Sequence, residues 1–249
     1  MTDTAAGLAF ATEIADRIRS AATFVERTTG DGPLMVLTNV ADGSAAGYLR
    51  LWAATDDSLL DRLIHFRLQS GPVDTHLLFL MGRTDTAMPH FHGQVVQFGP
   101  DTCVFNADIM PRLDPVDHPD YFSEVFGPVT KAYWQAINDR NNVCALAPAN
   151  PAIAAYLSPW SIATGRPTNF AELDRVKPSL LTYVDHCLAL ARTLKYRGPS
   201  PAELRARDQR HMACFQSDQL DPRAWKGVYR VIGEQAGQRV KDIFRTPLR

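Results

Sequence analysis

The residues best suited to chemistry lie between Pro89 and Tyr121, in PHFHGQVVQFGPDTCVFNADIMPRLDPVDHPDY. Alternate side chains of a strand share a face, so His90, His92 and Gln94 point one way and Val96 and Phe98 continue the row. A polar stripe at the start of an apolar strand predicts the lining of a pocket. Two imidazoles on one face can share a metal ion, but a third ligand is missing nearby, because Gln94 is a poor ligand and Val96 is none. Otherwise the histidines hydrogen-bond a substrate or satisfy each other. His76, in a segment apolar on both faces, reads as a structural histidine or as a proton donor aimed into a cavity. Asp108 in NADIMPR has the same ambiguity, with a turn-stabilising carboxylate before Pro111 as its plainer reading. Asp221 begins DPRAWKGVYRVIG and reads as an N-cap with Pro222 at the first helical position. On spacing alone, capping is favoured over catalysis.

These residues need a scaffold, and the apolar patterning supplies one. A first helix is expected from about Gly7 to Arg27, with Leu8, Ile14, Ile18 and Phe24 near helical spacing before TTGDG. Five short strands follow at 47–54, 63–69, 75–82, 91–98 and 102–109, separated by Gly, Pro, Asp or Ser. Short connections favour an antiparallel meander. From His118 the spacing turns helical, and Gly127-Pro128 should bend or divide that helix. AAYLSPWSIATG (154–165) looks like one or two further strands, and helices are expected at 169–195, 201–215 and 222–243. Helices before and after a block of antiparallel strands make a layered α+β sandwich the simplest architecture.

Bulk properties exclude several classes of function. The 249 residues bound the chain to one or two domains, and 45% hydrophobic with 21% charged residues is ordinary globular composition. No run of about 18 apolar residues could span a bilayer. The N-terminal text lacks the order of a secretory signal and is too acidic for a transit peptide, so cytoplasm is the default expectation. Cys103, Cys144, Cys187 and Cys214 are scattered, with no spacing for zinc, a redox dithiol or an iron–sulfur cluster. Redox chemistry must therefore use something brought from outside. A net charge of −1 argues against bulk nucleic-acid binding, yet from Ala191 onward thirteen Lys and Arg face six Asp and Glu. An acidic partner could dock on that basic quarter. No P-loop, dinucleotide fingerprint, nucleophile elbow or zinc-protease helix is present.

The 89–121 segment resembles the central strands of the ferredoxin-dependent bilin reductase superfamily. PHF followed by MPR and HPDY is most similar to its red chlorophyll catabolite reductase branch. LIHFRLQ and THLLFLMG resemble the two preceding strands, AYLSPWSI a later strand, and LDPRAWKGVYRVIG the closing helix, so the likeness touches most of 45–245. It implies one domain over 1–249, a three-layer α/β/α sandwich with a central antiparallel sheet, and an open-chain tetrapyrrole bound between the sheet and the C-terminal helices. It also implies no resident metal or flavin, with reduced ferredoxin passing electrons to the pigment singly and acidic side chains supplying protons. Neither nucleic acid nor membrane is expected as a partner, and a monomer or homodimer is.

Carried over by position, Gln94 falls where the family places a proton-donating carboxylate, and Asp221 on or next to a second one. His76 matches a pigment-facing histidine of one bilin-reductase group if one residue is inserted before Pro89, and Arg67 stands near a Glu of that group. The expected catalytic set is Asp221, Gln94, His76 and His92. His90, Arg67, Asp108, Ser158 and Arg166 are expected to bind substrate. A neutral amide hydrogen-bonds a lactam or pyrrole but delivers no proton. A carboxyl group walled in by pigment and apolar strands is held toward its protonated form, as an acid working near neutrality requires. The resemblance thus makes Asp221 the donor and Gln94 an orienting group. It also makes Arg205, Arg207, Arg210, Lys226, Arg230 and Lys241 a docking face for ferredoxin, with a solvated helix face as the plainer reading. Two other functions use the same scaffold: oxidation of a small aromatic at a His-held metal, and non-catalytic carriage of a pigment.

Overall fold

A computed structural model describes residues 5–138, 144 and 151–249. Its centre is an eight-stranded sheet of β1 (Phe24–Arg27), β2 (Met35–Thr38), β3 (Ala45–Ala54), β4 (Leu60–Ser70), β5 (Val73–Gly82), β6 (His90–Gln97), β7 (Cys103–Met110) and β8 (Ile162–Ala163). The order is β1-β3-β4-β5-β6-β7-β8, with β2 also paired to β3, and every pairing is antiparallel. The helices are α1 (Ala5–Ala21), α2 (Pro119–Phe126), α3 (Thr130–Ile137), α4 (Pro151–Ala154), α5 (Phe170–Thr193), α6 (Pro201–Phe215), α7 (Pro222–Ile232) and α8 (Glu234–Arg245).

Because successive strand residues face opposite ways, the meander serves two cores. Leu63, Leu78, Leu80, Phe91, Phe105 and Ile109 pack under α1, α2, α3 and α5. Leu49, Leu51, Ile64, Phe66, Phe79 and Met110 pack toward Met212 of α6, Val231 of α7, and Val240 and Phe244 of α8. This is the expected three-layer α/β/α arrangement, with both faces of the sheet covered.

The local signals for the helices are visible in their caps. Asn169 accepts the Glu172 N–H to open α5, a Ser200–Glu203 capping box opens α6, and Asp221 with Pro222 opens α7. Gly127–Val129 forms the 3-10 turn that divides α2 from α3.

Two expectations are corrected. The first helix ends at Ala21, and Phe24–Arg27 becomes an edge strand paired to Leu51–Ala54, since Phe24 satisfies either period. The helix expected at 222–243 is two helices, broken at Gly233, whose φ of 80° lets the chain turn where other residues would be strained. The segment 154–165, expected to hold one or two strands, holds one, the two-residue β8. Its Ser158 N–H and hydroxyl are bonded to Asp108, which withdraws them from any ladder.

Gly47 is the tightest point of the sheet. It lies between β2 and β4 with φ 146°, and a Cβ there would come 2.0 Å from the Arg67 carbonyl oxygen. Gly47→Ala should therefore lower unfolding free energy by more than about 2 kcal/mol. Gly127→Ala, in open space on a helical backbone, should be neutral or slightly stabilising. Urea unfolding of the two variants checks the contrast.

Candidate functional site

Between the sheet and the C-terminal helices lies a cavity of about 850 Å³. Its floor is made by Phe66 and Leu68 of β4, Thr75, Leu77 and Phe79 of β5, His92, Gln94 and Val96 of β6, and Asn106 of β7. Phe215 of α6 with its C-cap Gln216, and Trp225 and Val228 of α7 with its N-cap Asp221, form the roof. Phe98, 40% exposed, stands at the rim.

The register assembles the polar part of the floor. His92 faces Phe79 on one side and Asp108 on the other, and Gln94 faces Leu77 and Asn106. The His92 ring stacks on Phe79 at 4.4 Å and meets Phe215 edge-on at 5.6 Å. Burial lowers its pKa to about 3, so it is a neutral imidazole, and its Nδ1 has no partner among the described residues. Asp108 is fully buried and bonded by the Ser158 N–H and hydroxyl. Burial pushes this carboxyl up to about 6 against the opposing pull of those bonds. On the roof, the Asp221 carboxylate accepts the Ala224 N–H at 3.0 Å while lining the cavity.

Several expected site residues stand elsewhere. His76 and Arg67 are corrected to the opposite face of the sheet: on β5 the cavity side is Thr75, Leu77 and Phe79, so His76 points away. There it contacts His65 at 3.2 Å, and Asp74 takes a two-pronged ion pair from Arg67. THLLFLMG, apolar on both faces, contained no cue to which face was which. His90 shares the parity of His92 but lies outside the cavity lining, as do Asp108 and Ser158. Arg166 is exposed and also outside it.

His90 belongs to a buried polar cluster beside the cavity. The Gly82 N–H donates to its Nδ1 at 3.0 Å, so Nδ1 carries no proton and Nε2–H donates to Asp208 at 2.8 Å. Burial, then Arg112, holds His90 below the usual histidine range. Burial alone would raise Asp208, but the His90 bond and the Arg112 and Arg62 charges bring it down to about 2. Arg112 also donates to the Thr84 and Leu204 carbonyls, pinning α6 to the sheet. With one ring committed to Gly82 and Asp208 and the other stacked on Phe79, His90 and His92 do not converge on a common point. Among the described residues no trio of His, Cys, Asp or Glu is placed to hold a metal.

Asn106, Arg223 and Trp225 line the cavity and were missed in the sequence, and Arg230, expected on the docking face, lines it too. Asn106 was within reach, because it lies two residues before Asp108 and so on the same strand face. The helix residues required knowing which side of α7 faces the sheet. The expected basic face is also redrawn. Lys241 is buried, held by Asp218 and Tyr229 and lying 4.3 Å from the Trp225 ring centre, and Arg207 is partly buried with a bond to the Pro111 carbonyl. Arg223, Lys226 and Arg230 are exposed on α7 and line a shallow outer groove.

Burial holds His65 and His92 at about 3 and His211 at about 4. Unfolding releases all three to take up protons near pH 6.5. Their folded pKa values are lowered, so the unfolded chain binds more protons between about pH 6.5 and 4, and stability falls as pH falls through that window. The urea midpoint should drop from pH 7 to pH 5, and His92→Phe, which keeps the stack on Phe79, should flatten the dependence.

The family model for red chlorophyll catabolite reductase (RCC reductase) matches residues 33–159, just over half of the chain. Red chlorophyll catabolite reductase of Hordeum vulgare is 30% identical over 70 residues, 28% of this chain and 34% of that protein. Red chlorophyll catabolite reductase 1, chloroplastic, of Oryza sativa subsp. japonica is 29% identical over 73 residues, 29% of this chain and 22% of that protein. The match thus spans about a third or less of these curated relatives. The crystal structure of phytochromobilin synthase from tomato in complex with biliverdin superposes with a TM-score of 0.70 at 13% identity, over 94% of this chain and 81% of that one. At such identity the likeness is one of fold. The cytoplasmic expectation is overturned by the rice relative, whose name places it in the chloroplast.

Proposed function

The chain belongs to the red chlorophyll catabolite reductase family, and on that premise we propose that it reduces an open-chain tetrapyrrole with electrons from reduced ferredoxin. The observation that carries this reading is the disposition of the cavity. Neutral polar groups, His92, Gln94 and Asn106, lie on the sheet side, and a carboxylate, Asp221, lies on the helix side. Asp221 is the one carboxylate lining the cavity among the described residues. A flat conjugated ligand fits between such walls, and the volume lies within the ~300–1,000 Å³ of ordinary ligand sites.

Reduction of one double bond consumes two electrons and two protons. Ferredoxin supplies the electrons singly, Asp221 supplies one proton to the pigment, and solvent supplies the other and reprotonates Asp221. Gln94 carries no transferable proton and orients the pigment by hydrogen bonds. His92, neutral and stacked on Phe79, fixes the pigment plane by packing. Arg223 and Arg230, which line both the cavity and the outer groove, suit the carboxylate arms of a linear tetrapyrrole. With Lys226 they also form a cationic surface for an acidic electron donor, to which the exposed Arg205 and Arg210 of α6 add, while Lys241 and Arg207 drop out of the basic face expected above.

Mixing the protein with biliverdin should give a shifted absorption spectrum that bleaches or shifts again only when reduced ferredoxin is added. A static complex would mark a pigment carrier, and an unchanged spectrum would remove tetrapyrroles from consideration. Asp221→Asn keeps a good helix cap, so binding should persist while turnover falls by about 10²-fold or more. Native-rate turnover would refute the donor assignment. Turnover should also drop several-fold as ionic strength rises from about 0.05 to 0.5 M, where screening shortens below ~10 Å, and a flat response would count against docking on α7.

A further inference from the structure

Asn106, like His92, is a cavity residue with a side-chain polar atom that has no hydrogen-bond partner among the described residues. It is the direct cross-strand partner of Gln94, so their side chains rise side by side from the same face. Their outer neighbours in the register are Leu77 next to Gln94 and Ala163 next to Asn106, neither of which offers a polar side chain. Asn106 Oδ1 is buried with no partner among the described residues. The two amides thus form an adjacent polar pair in the floor, with Leu77 and Ala163 as their neighbours across the sheet and His92 and Val96 as those of Gln94 along β6. A buried acceptor left without a donor is costly, so the arrangement is suited to a ligand that brings its own matching edge.

We propose that Gln94 and Asn106 together receive the lactam edge of a terminal ring of the pigment, with Asn106 as a second ligand-orienting residue that sets specificity for uncharged lactams. This rests on the tetrapyrrole reading of the cavity. A ring lactam holds its N–H and C=O on one side, and a primary carboxamide presents the complementary C=O and N–H₂ on one side, so the two pair through two hydrogen bonds. Side by side, the two carboxamides offer a continuous row of donors and acceptors with no net charge. A carboxylate placed there would find donors for its oxygens but would also face Asn106 Oδ1 or the Gln94 carbonyl oxygen, without a cation on the floor to offset the repulsion. The floor therefore favours lactam over carboxylate, and the carboxylate arms of the same pigment are left to Arg223 and Arg230 at the mouth. Substituting Asn106 removes no ladder bond, since its pairing with Gln94 and Ala163 is through the backbone.

The test is an absorbance titration with biliverdin, which carries two terminal lactams, and with its bis-lactim ether, in which each lactam N–H and C=O edge is replaced by C=N and O-alkyl. Asn106→Leu and Asn106→Asp should weaken biliverdin binding by about tenfold or more, with Asp the worse, while binding of the lactim ether changes little. Native-like affinity of both variants for biliverdin would overturn the assignment and leave the tetrapyrrole reading standing. Equal losses for biliverdin and its lactim ether would overturn it as well, by assigning Asn106 a purely structural role. Failure of the native protein to bind either pigment would refute the tetrapyrrole reading itself and this inference with it.

Discussion

The register of β5, β6 and β7 decides which side chains can meet. Phe79, His92 and Asp108 fall in one row across the sheet, and Leu77, Gln94 and Asn106 in the next. A slip of one residue in β6 would turn His92 and Gln94 toward α1 and α5 and bring Phe91 and Val95 into the cavity, because strand side chains alternate with a period of two. The burial of both faces makes such a slip costly. Phe91 and Val95 fill the core under α5, and their exchange for a histidine and an amide would place polar groups in an apolar layer. The cavity is therefore specified by packing on the far side of the sheet as much as by its own lining.

A second constraint holds the roof in place. Asp208 on α6 meets His90 and Arg112 of the sheet layer, Arg62 of β4 donates to the Phe244 carbonyl of α8, and Asp61 accepts the N–H groups of Leu248 and Arg249. These bonds tie the C-terminal helices to the starts of β4 and β6. Breaking one partner of such a buried ionic set typically costs about 3–5 kcal/mol. Toward the opposite end, the Val40 N–H beyond β2 donates to the Val231 carbonyl at 2.9 Å and ties α7 to the sheet layer. The roof is thus tied to the sheet layer on both sides of the cavity.

Much of the architecture was legible in the sequence because the signals were local. Five strands of the meander, the Gly127-Pro128 break and the caps at Ser200 and Asp221 each follow from spacing or cap chemistry within a few residues. The site was legible only on β6, where the polar stripe of His92 and Gln94 stands out from an apolar background. On β5 the background is apolar on both faces, so His76 could not be assigned a side, and the structure places it away from the cavity. On β4 the alternation of His65 and Arg67 with Ile64, Phe66 and Leu68 separated the two faces, but which of them borders the cavity is a tertiary fact, and it is the apolar one. Asp221 was legible as a cap, and its second position on the cavity wall depends on how α7 lies over the sheet, which is a tertiary fact. Lys241 illustrates the reverse error: its charge suggested a surface, whereas Trp225, Tyr229 and Asp218 enclose it.

The central claim is that an open-chain tetrapyrrole occupies the space between the sheet and α7, with the neutral amides on one side and the acid on the other. A crystal structure of the protein with biliverdin tests this most directly. The account predicts the pigment between Phe79 and Trp225, a terminal lactam within hydrogen-bond reach of Gln94 and Asn106, and the Asp221 carboxyl against the opposite face of the pigment. Pigment bound on the α1 and α5 side of the sheet, or in the cavity with its lactams turned to Arg223 and Arg230, would contradict it.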